Sequence, residues 1–258
     1  MSQIPSLGDL EDYQSPADAY FSENEPERML LLADTHYKED KFFEDKPLKS
    51  DLNKLEEIGD IFEIDEIVWA GDCTYSPGDI IDFKNSDFSK KRVVMGNHDR
   101  EDDAWSFEEV FGETLPELDD IDYEKYETVW SIGKDRKYDV CMRHESQGMG
   151  LSPTGRGSPY QKYNEFDILI HGHRHIPYYR VLDNRKMGVG LGSLFSNYTE
   201  DRTIPRRSIQ IMEVDGVIDV KHIDFDEMSV VEEIVFGEEN GVFGMLEKWG
   251  RGAQEIFS

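Results

Sequence analysis

At 258 residues, with 38% hydrophobic residues, the chain is long enough and apolar enough for one large globular domain or two small ones, which excludes a disordered protein. Its 56 acidic against 28 basic residues give a formal net charge of −28, a surface that repels nucleic acid and anionic lipid at long range. No apolar run approaches the length of a membrane span, the N-terminus lacks the basic and apolar regions of a signal peptide, and Cys73 and Cys141 are too few for a disulfide framework. A cytoplasmic protein with reduced thiols and no membrane partner is expected.

Residues 1–27 are acidic, carry Pro5, Pro16 and Pro26, and show no sustained period, so they read as an N-terminal arm. Met29–Ala33 is a short continuous apolar run, the pattern of a buried strand, and it ends at Asp34-Thr35-His36. Leu48, Leu52, Leu55, Ile58 and Ile61 recur at helical spacing and predict an amphipathic helix. Two further apolar strands follow: Ile67–Ala70, ending at Gly71-Asp72, and Arg92–Met95, ending at Gly96-Asn97-His98-Asp99. A helix is predicted near 104–111.

Val129–Ile132 and Tyr138–Met142 read as a hairpin that ends at Arg143-His144, followed by a Gly- and Pro-bearing loop over 145–159. Ile168–Ile170 then runs into His171-Gly172-His173-Arg174-His175, three histidines spaced two apart at a strand end. Tyr178–Leu182 with Met187–Leu191, and Ser208–Val214 with Val217–Ile223, are two more hairpins. The second turns at Asp215-Gly216, a dipeptide suited to a tight turn. From 226 onwards the spacing of Val230, Val231, Ile234 and Val235, then of Phe243, Leu246 and Trp249, predicts a C-terminal helical extension of two short helices. The expected division is an arm over 1–27, a catalytic domain over 28–225 and that extension over 226–258, whose helices are expected to cover the core, with contact to a protein partner or second copy as the alternative.

Five strand ends thus carry Asp34/His36, Asp72, Asn97/His98, His144 and His173/His175. Polar residues at the carboxyl ends of strands are how open α/β sheets build their sites. Two carboxylates, an amide oxygen and four imidazoles suit borderline divalent ions such as manganese, iron, zinc or nickel. The set is too rich in nitrogen for calcium and too poor in thiolate for a structural zinc.

The ordered set Asp-x-His, Gly-Asp, Gly-Asn-His-Asp, a lone His and Gly-His-x-His resembles the calcineurin-like metallophosphoesterase superfamily, over roughly residues 29–195. The resemblance implies a four-layer α/β/β/α sandwich with two mixed β-sheets. It implies that Asp34, His36 and His175 hold one divalent ion and Asn97, His144 and His173 a second, manganese foremost, with Asp72 between them. It also implies attack on a phosphate ester by a hydroxide bridging the ions, with His98 beside the phosphate and Asp99 orienting it.

Arg100 is a candidate for gripping substrate phosphate together with Asn97. Arg143 and Arg174 are weaker candidates, because neighbours of inward-pointing ligands face away on extended backbone. His171 is expected to support the site from behind, and His222 to be a strand or surface residue without a role. Cys73-Thr-Tyr-Ser-Pro-Gly78 lacks the Asp-Arg-Gly continuation of the phosphoprotein phosphatases. Asp34-Thr35-His36 and Gly190-Leu-Gly192-Ser193 instead resemble the small bacterial and archaeal phosphodiesterases, while Glu145 stands where many relatives have glycine. The expectation is a phosphodiesterase. Its rivals are a double-strand-break-repair type nuclease, for which Lys90-Lys91-Arg92 and Arg206-Arg207 would supply the basic track and nucleic acid the substrate, and a non-catalytic assembly protein.

Overall fold

The computed structural model describes residues 26–35, 48–64, 66–72, 83–96, 121–124, 127–134, 137–144, 166–175, 177–183, 186–194, 207–237 and 241–247. Parallel strands β1 (Glu27–Leu32), β2 (Glu66–Ala70), β3 (Lys90–Val94) and β4 (Ile121–Glu124) form half of an eight-stranded sheet. The other half is an antiparallel meander on the far side of β1: β10 (Ser208–Asp215), β11 (Val217–Asp224), β12 (Ser229–Gly237) and β13 (Gly241–Glu247). A five-stranded sheet has the order β5 (Glu127–Ile132), β6 (Tyr138–Arg143), β7 (Ile168–His171), β9 (Lys186–Gly190), β8 (Tyr178–Asp183). Its centre, β6-β7-β9, is parallel and both edges are antiparallel.

Alternation along the strands sorts the core into layers. In β1, Leu30 and Leu32 turn to helix α1 (Leu48–Ile61), where they meet Leu52, Leu55 and Ile58 with Ile67, Trp69 and Val93. Met29 and Leu31 turn the other way, towards Val140, Met142, Ile168 and Ile170 of the smaller sheet. Strands covered on both faces read as unbroken apolar runs, which is why β1, β2 and β7 were legible. The result is an α/β sandwich of two mixed sheets, as expected. Leu169, Cys141 and Phe166 make a small apolar patch on the outer face of the smaller sheet, over which no helix lies among the described residues. Cys141 is buried and unpaired in a disulfide, and burial with Glu127 nearby pushes its thiol up to about 12, so it is inert packing.

One expectation is corrected and one pair of alternatives is decided. The predicted helices beyond residue 226 are strands: β12 pairs along β11, and β13 pairs back along β12. Val230, Val231, Ile234 and Val235 are β-branched, which suits a pleated surface better than a helix. Ile234 and Phe236 complete the core between the sheets, while Val230, displaced by a bulge at His222/Ile223, packs on the α1 side. Of the two alternatives for His222, strand or surface, the structure shows the first: it lies in β11, fully buried, stacks on Tyr179 at 4.6 Å and bonds Glu232 through Nδ1 at 3.1 Å. The helix expected over 104–111 and the loop 145–159 lie outside the described residues.

Candidate metal centre

The carboxyl ends of β1 and β2 in one sheet face those of β6 and β7 in the other. Asp34 follows β1, Asp72 follows β2, His144 follows β6, and His173 and His175 follow β7. His144 Nε2 is 3.0 Å from Asp72 Oδ2 and 3.9 Å from Asp34 Oδ1. His175 Nε2 is 3.3 Å from Asp34 Oδ1, and the backbone N–H of His173 donates to Asp34 Oδ2 at 2.8 Å. One ligand atom each from Asp72, His144 and His173 fall within 4.8 Å of one another.

Asp34, Asp72, His173 and His175 all have left-handed backbone, with φ of 54°, 51°, 73° and 58°. Non-glycine residues adopt that region at a cost, and persist there where the surroundings impose it. Here the chain leaves each strand abruptly, and neighbouring backbone clamps it: Asp34 N–H donates to Gly71 O at 3.0 Å and Thr35 N–H to Asp72 O at 2.9 Å. Gly71 (φ 84°) allows the His144 ring to lie against the β2 end, since a Cβ there would sit 2.5 Å from the ring. Gly96 does the same for Asp72, whose Oδ1 would be 1.9 Å from an added Cβ.

Asp34, Asp72 and His144 are buried to within 1% of full coverage, whereas His173 is exposed at the rim. Burial opposes protonation of His144, but the carboxylates of Asp34 and Asp72 outweigh it and push the imidazole up to about 9. The cluster therefore demands positive charge. A divalent cation meets that demand with ligands it favours, imidazole and carboxylate, so these residues fit a transition-metal site. His144 Nδ1 donates to the Ala70 carbonyl at 2.7 Å, which keeps a proton on Nδ1, so that a cation replacing the Nε2 proton would meet a lone pair facing the cluster.

The model of the calcineurin-like phosphoesterase superfamily domain matches residues 28–216. The chain belongs to this superfamily. Among solved structures, a single mutant of Vps29 from Entamoeba histolytica is similar with a TM-score of 0.56 and 16% identity, over 81% of this chain and 99% of that one. Vps29 from Cryptosporidium parvum gives 0.54 and 14%, over 87% and 100%. A purple acid phosphatase from yellow lupin gives 0.50 and 14%, over 82% and 54%. At such identities the likeness is one of fold. No curated protein matches the sequence.

Of the residues expected in the phosphoesterase site, the structure brings together Asp34, Asp72, His144, His173 and His175. His36, Asn97, His98, Asp99 and Arg100 lie outside the described residues. His171 Nε2 is 2.5 Å from the Tyr178 hydroxyl, and burial pushes the imidazole down to about 4, so it is neutral. Arg143 pairs with Glu127 at 3.4 Å. Ser193 and Thr35 were read only as parts of motifs. Each is buried with its hydroxyl donating to a site aspartate's carbonyl, Ser193 to Asp34 at 2.6 Å and Thr35 to Asp72 at 3.2 Å.

Proposed function

We propose that the protein is a phosphodiesterase that uses two divalent ions, manganese foremost, with iron, zinc or nickel as alternatives. In this reading Asp34, His36 and His175 hold one ion, Asn97, His144 and His173 the other, and Asp72 both. The observation that carries it is the buried pair Asp34 and Asp72 converging on His144, a charge arrangement that calls for cations. Bound divalent ions would supply the positive charge that polarises a phosphoryl oxygen and acidifies water.

The chain's own residues do the rest. Asp34 and Asp72, fixed by their clamped backbones, hold the charge in place before substrate arrives, so little reorganisation is needed in the transition state. His173, at the exposed rim, stands where an anionic ester enters. His98 donates a proton to the leaving oxygen, Asp99 orients it, and Arg100 with Asn97 grips the phosphate.

Three of the five basic residues that a polynucleotide track would need are otherwise engaged, while Lys90 is exposed and Arg206 lies outside the described residues. Lys91 is buried and donates to Phe88 O, Arg92 pairs with Glu66 at 3.0 Å and lies over Trp130, and Arg207 pairs with Asp51 and Asp226. This favours a small diester over DNA. The test is a panel of phosphomonoesters, phosphodiesters and oligonucleotides with manganese and with chelator. Preferential, chelator-sensitive turnover of small diesters is expected. Hydrolysis of oligonucleotides alone would support the nuclease. A protein that binds metal yet turns over nothing would support an assembly role, for which one observation speaks: β13 is the last strand of the larger sheet among the described residues, and a last strand is a template for a further one.

A further inference from the structure

We propose that Ser193 is a positioning residue that sets the Asp34 carboxylate for metal binding; the inference rests on the metal-dependent reading above. Asp34 is held in left-handed backbone (φ 54°) from three directions, each a different strand end. Its N–H donates to Gly71 O past β2 at 3.0 Å, and its Oδ2 accepts the His173 N–H past β7 at 2.8 Å. Its carbonyl accepts the Ser193 hydroxyl, past β9, at 2.6 Å.

The third of these contacts comes from a side chain, and the segment bearing it is itself tied down. Ser193 O accepts Ser208 N–H at 2.9 Å, and the next carbonyl, Leu194 O, accepts Arg207 Nε at 2.6 Å. Arg207 in turn binds Asp51 on α1. The Ser193 hydroxyl is thus a fixed point, and it links the anchored end of β9 to the peptide that leaves Asp34. Removing it leaves a buried carbonyl without that donor and frees the peptide to rotate away from a conformation that is intrinsically unfavourable. The carboxylate, a few bonds away, turns with it. Asp72 is less dependent on one hydroxyl, because its carbonyl accepts both the N–H and the Oγ1 of Thr35.

The test uses the full chain as wild type, Ser193→Ala, Ser193→Thr and Ser208→Ala. Ser208 is the control: its hydroxyl is buried nearby, but its Oγ has no hydrogen-bond partner among the described residues. Manganese binding is titrated calorimetrically, with thermal melts of the metal-free proteins alongside. In Ser193→Ala one of the two binding steps is expected to weaken about 10- to 100-fold, the range for removing a residue that orients a ligand. The other step should change far less, with Ser193→Thr and Ser208→Ala both close to wild type. Wild-type affinity for both ions in Ser193→Ala overturns the inference and leaves the proposed function standing. Equal weakening in Ser193→Ala and Ser208→Ala also overturns it, since both would then act through packing. A wild type that binds no manganese overturns the proposed function itself.

Discussion

The Nε2 atom of His144 lies 3.0 Å from Oδ2 of Asp72, a contact that joins the end of β6 in the smaller sheet to the end of β2 in the larger. Each sheet alone carries half of a site. Packing of Met29, Leu31 and Val68 against Val140, Met142 and Ile168 brings the halves together, so the chemistry depends on the core between the sheets. Gly71, against the His144 ring, is a place where this approach is tight, and Gly96 is where the end of β3 closes on Asp72 within the larger sheet.

Gly96→Ala should therefore damage the site from a distance in sequence. The added Cβ would lie 1.9 Å from Asp72 Oδ1, so the carboxylate or the end of β3 must move. Bound manganese per chain is expected to fall sharply while circular dichroism keeps its sheet signal. Unchanged metal content would show that Asp72 has more room than this contact allows.

A second buried cluster lies away from the site. Lys221 contacts Glu213 and Asp219 and approaches Glu233 to 3.9 Å, all nearly fully buried. Burial pushes the Asp219 carboxyl well above the usual range. It acts the same way on Glu213, but Lys221 and Arg28 outweigh it and hold that group low. Lys221→Met leaves the carboxylates without their central cation and should cost about 3–5 kcal/mol at neutral pH. Urea unfolding reads this out, and the loss should shrink in acid as the carboxylates take up protons.

Much of this was legible in the sequence, and the rest was hidden for physical reasons. Met29–Leu32 and Ile168–Ile170 are buried on both faces, so continuous apolar runs ended visibly at polar site residues. Asp215-Gly216 marked the turn between β10 and β11. In contrast, β12 carries an extra residue, Val231, opposite His222/Ile223, and β13 carries one, Phe243, opposite Val235/Phe236, which breaks strict alternation in each strand and leaves spacings that mimic a helix. His222 looked superficial because its neighbours Lys221 and Asp224 are charged, yet β11 is covered on both faces. The meeting of His144 with Asp72 joins residues 72 positions apart across two sheets; no local spacing encodes it.

His222 gives a pH signature. Burial holds its pKa below the ordinary value, against the pull of Glu232. The unfolded chain protonates this imidazole near pH 6.5 while the folded one resists, so its contribution is present above about pH 6.5 and is lost as pH falls below it. Between pH 7 and 5 wild type should lose more stability than His222→Gln, by no more than about 1.4 kcal/mol per pH unit for one group. Urea midpoints at the two pH values measure it; identical losses would mean that His222 stays neutral in the unfolded chain or charges in the folded one.

Salt should act on the surface and spare the site. A net charge of −28 repels itself and an anionic ester through solvent, and the Debye length falls from about 10 Å at 0.1 M to about 3 Å at 1 M. Melting temperature and turnover of a small anionic diester should both rise across a potassium chloride series at constant metal stoichiometry. Oligonucleotide binding that dominates at low salt and collapses as salt rises would point instead to a basic track.

The most direct measurement is elemental analysis of purified protein after manganese loading and gel filtration, for wild type and Asp72→Asn. The wild type should retain close to two ions per chain. Asp72→Asn, which removes the carboxylate facing His144 and proposed to serve both positions, should retain well under one. A wild type that emerges without bound metal, or an Asp72→Asn variant that holds as much as wild type, would contradict the account.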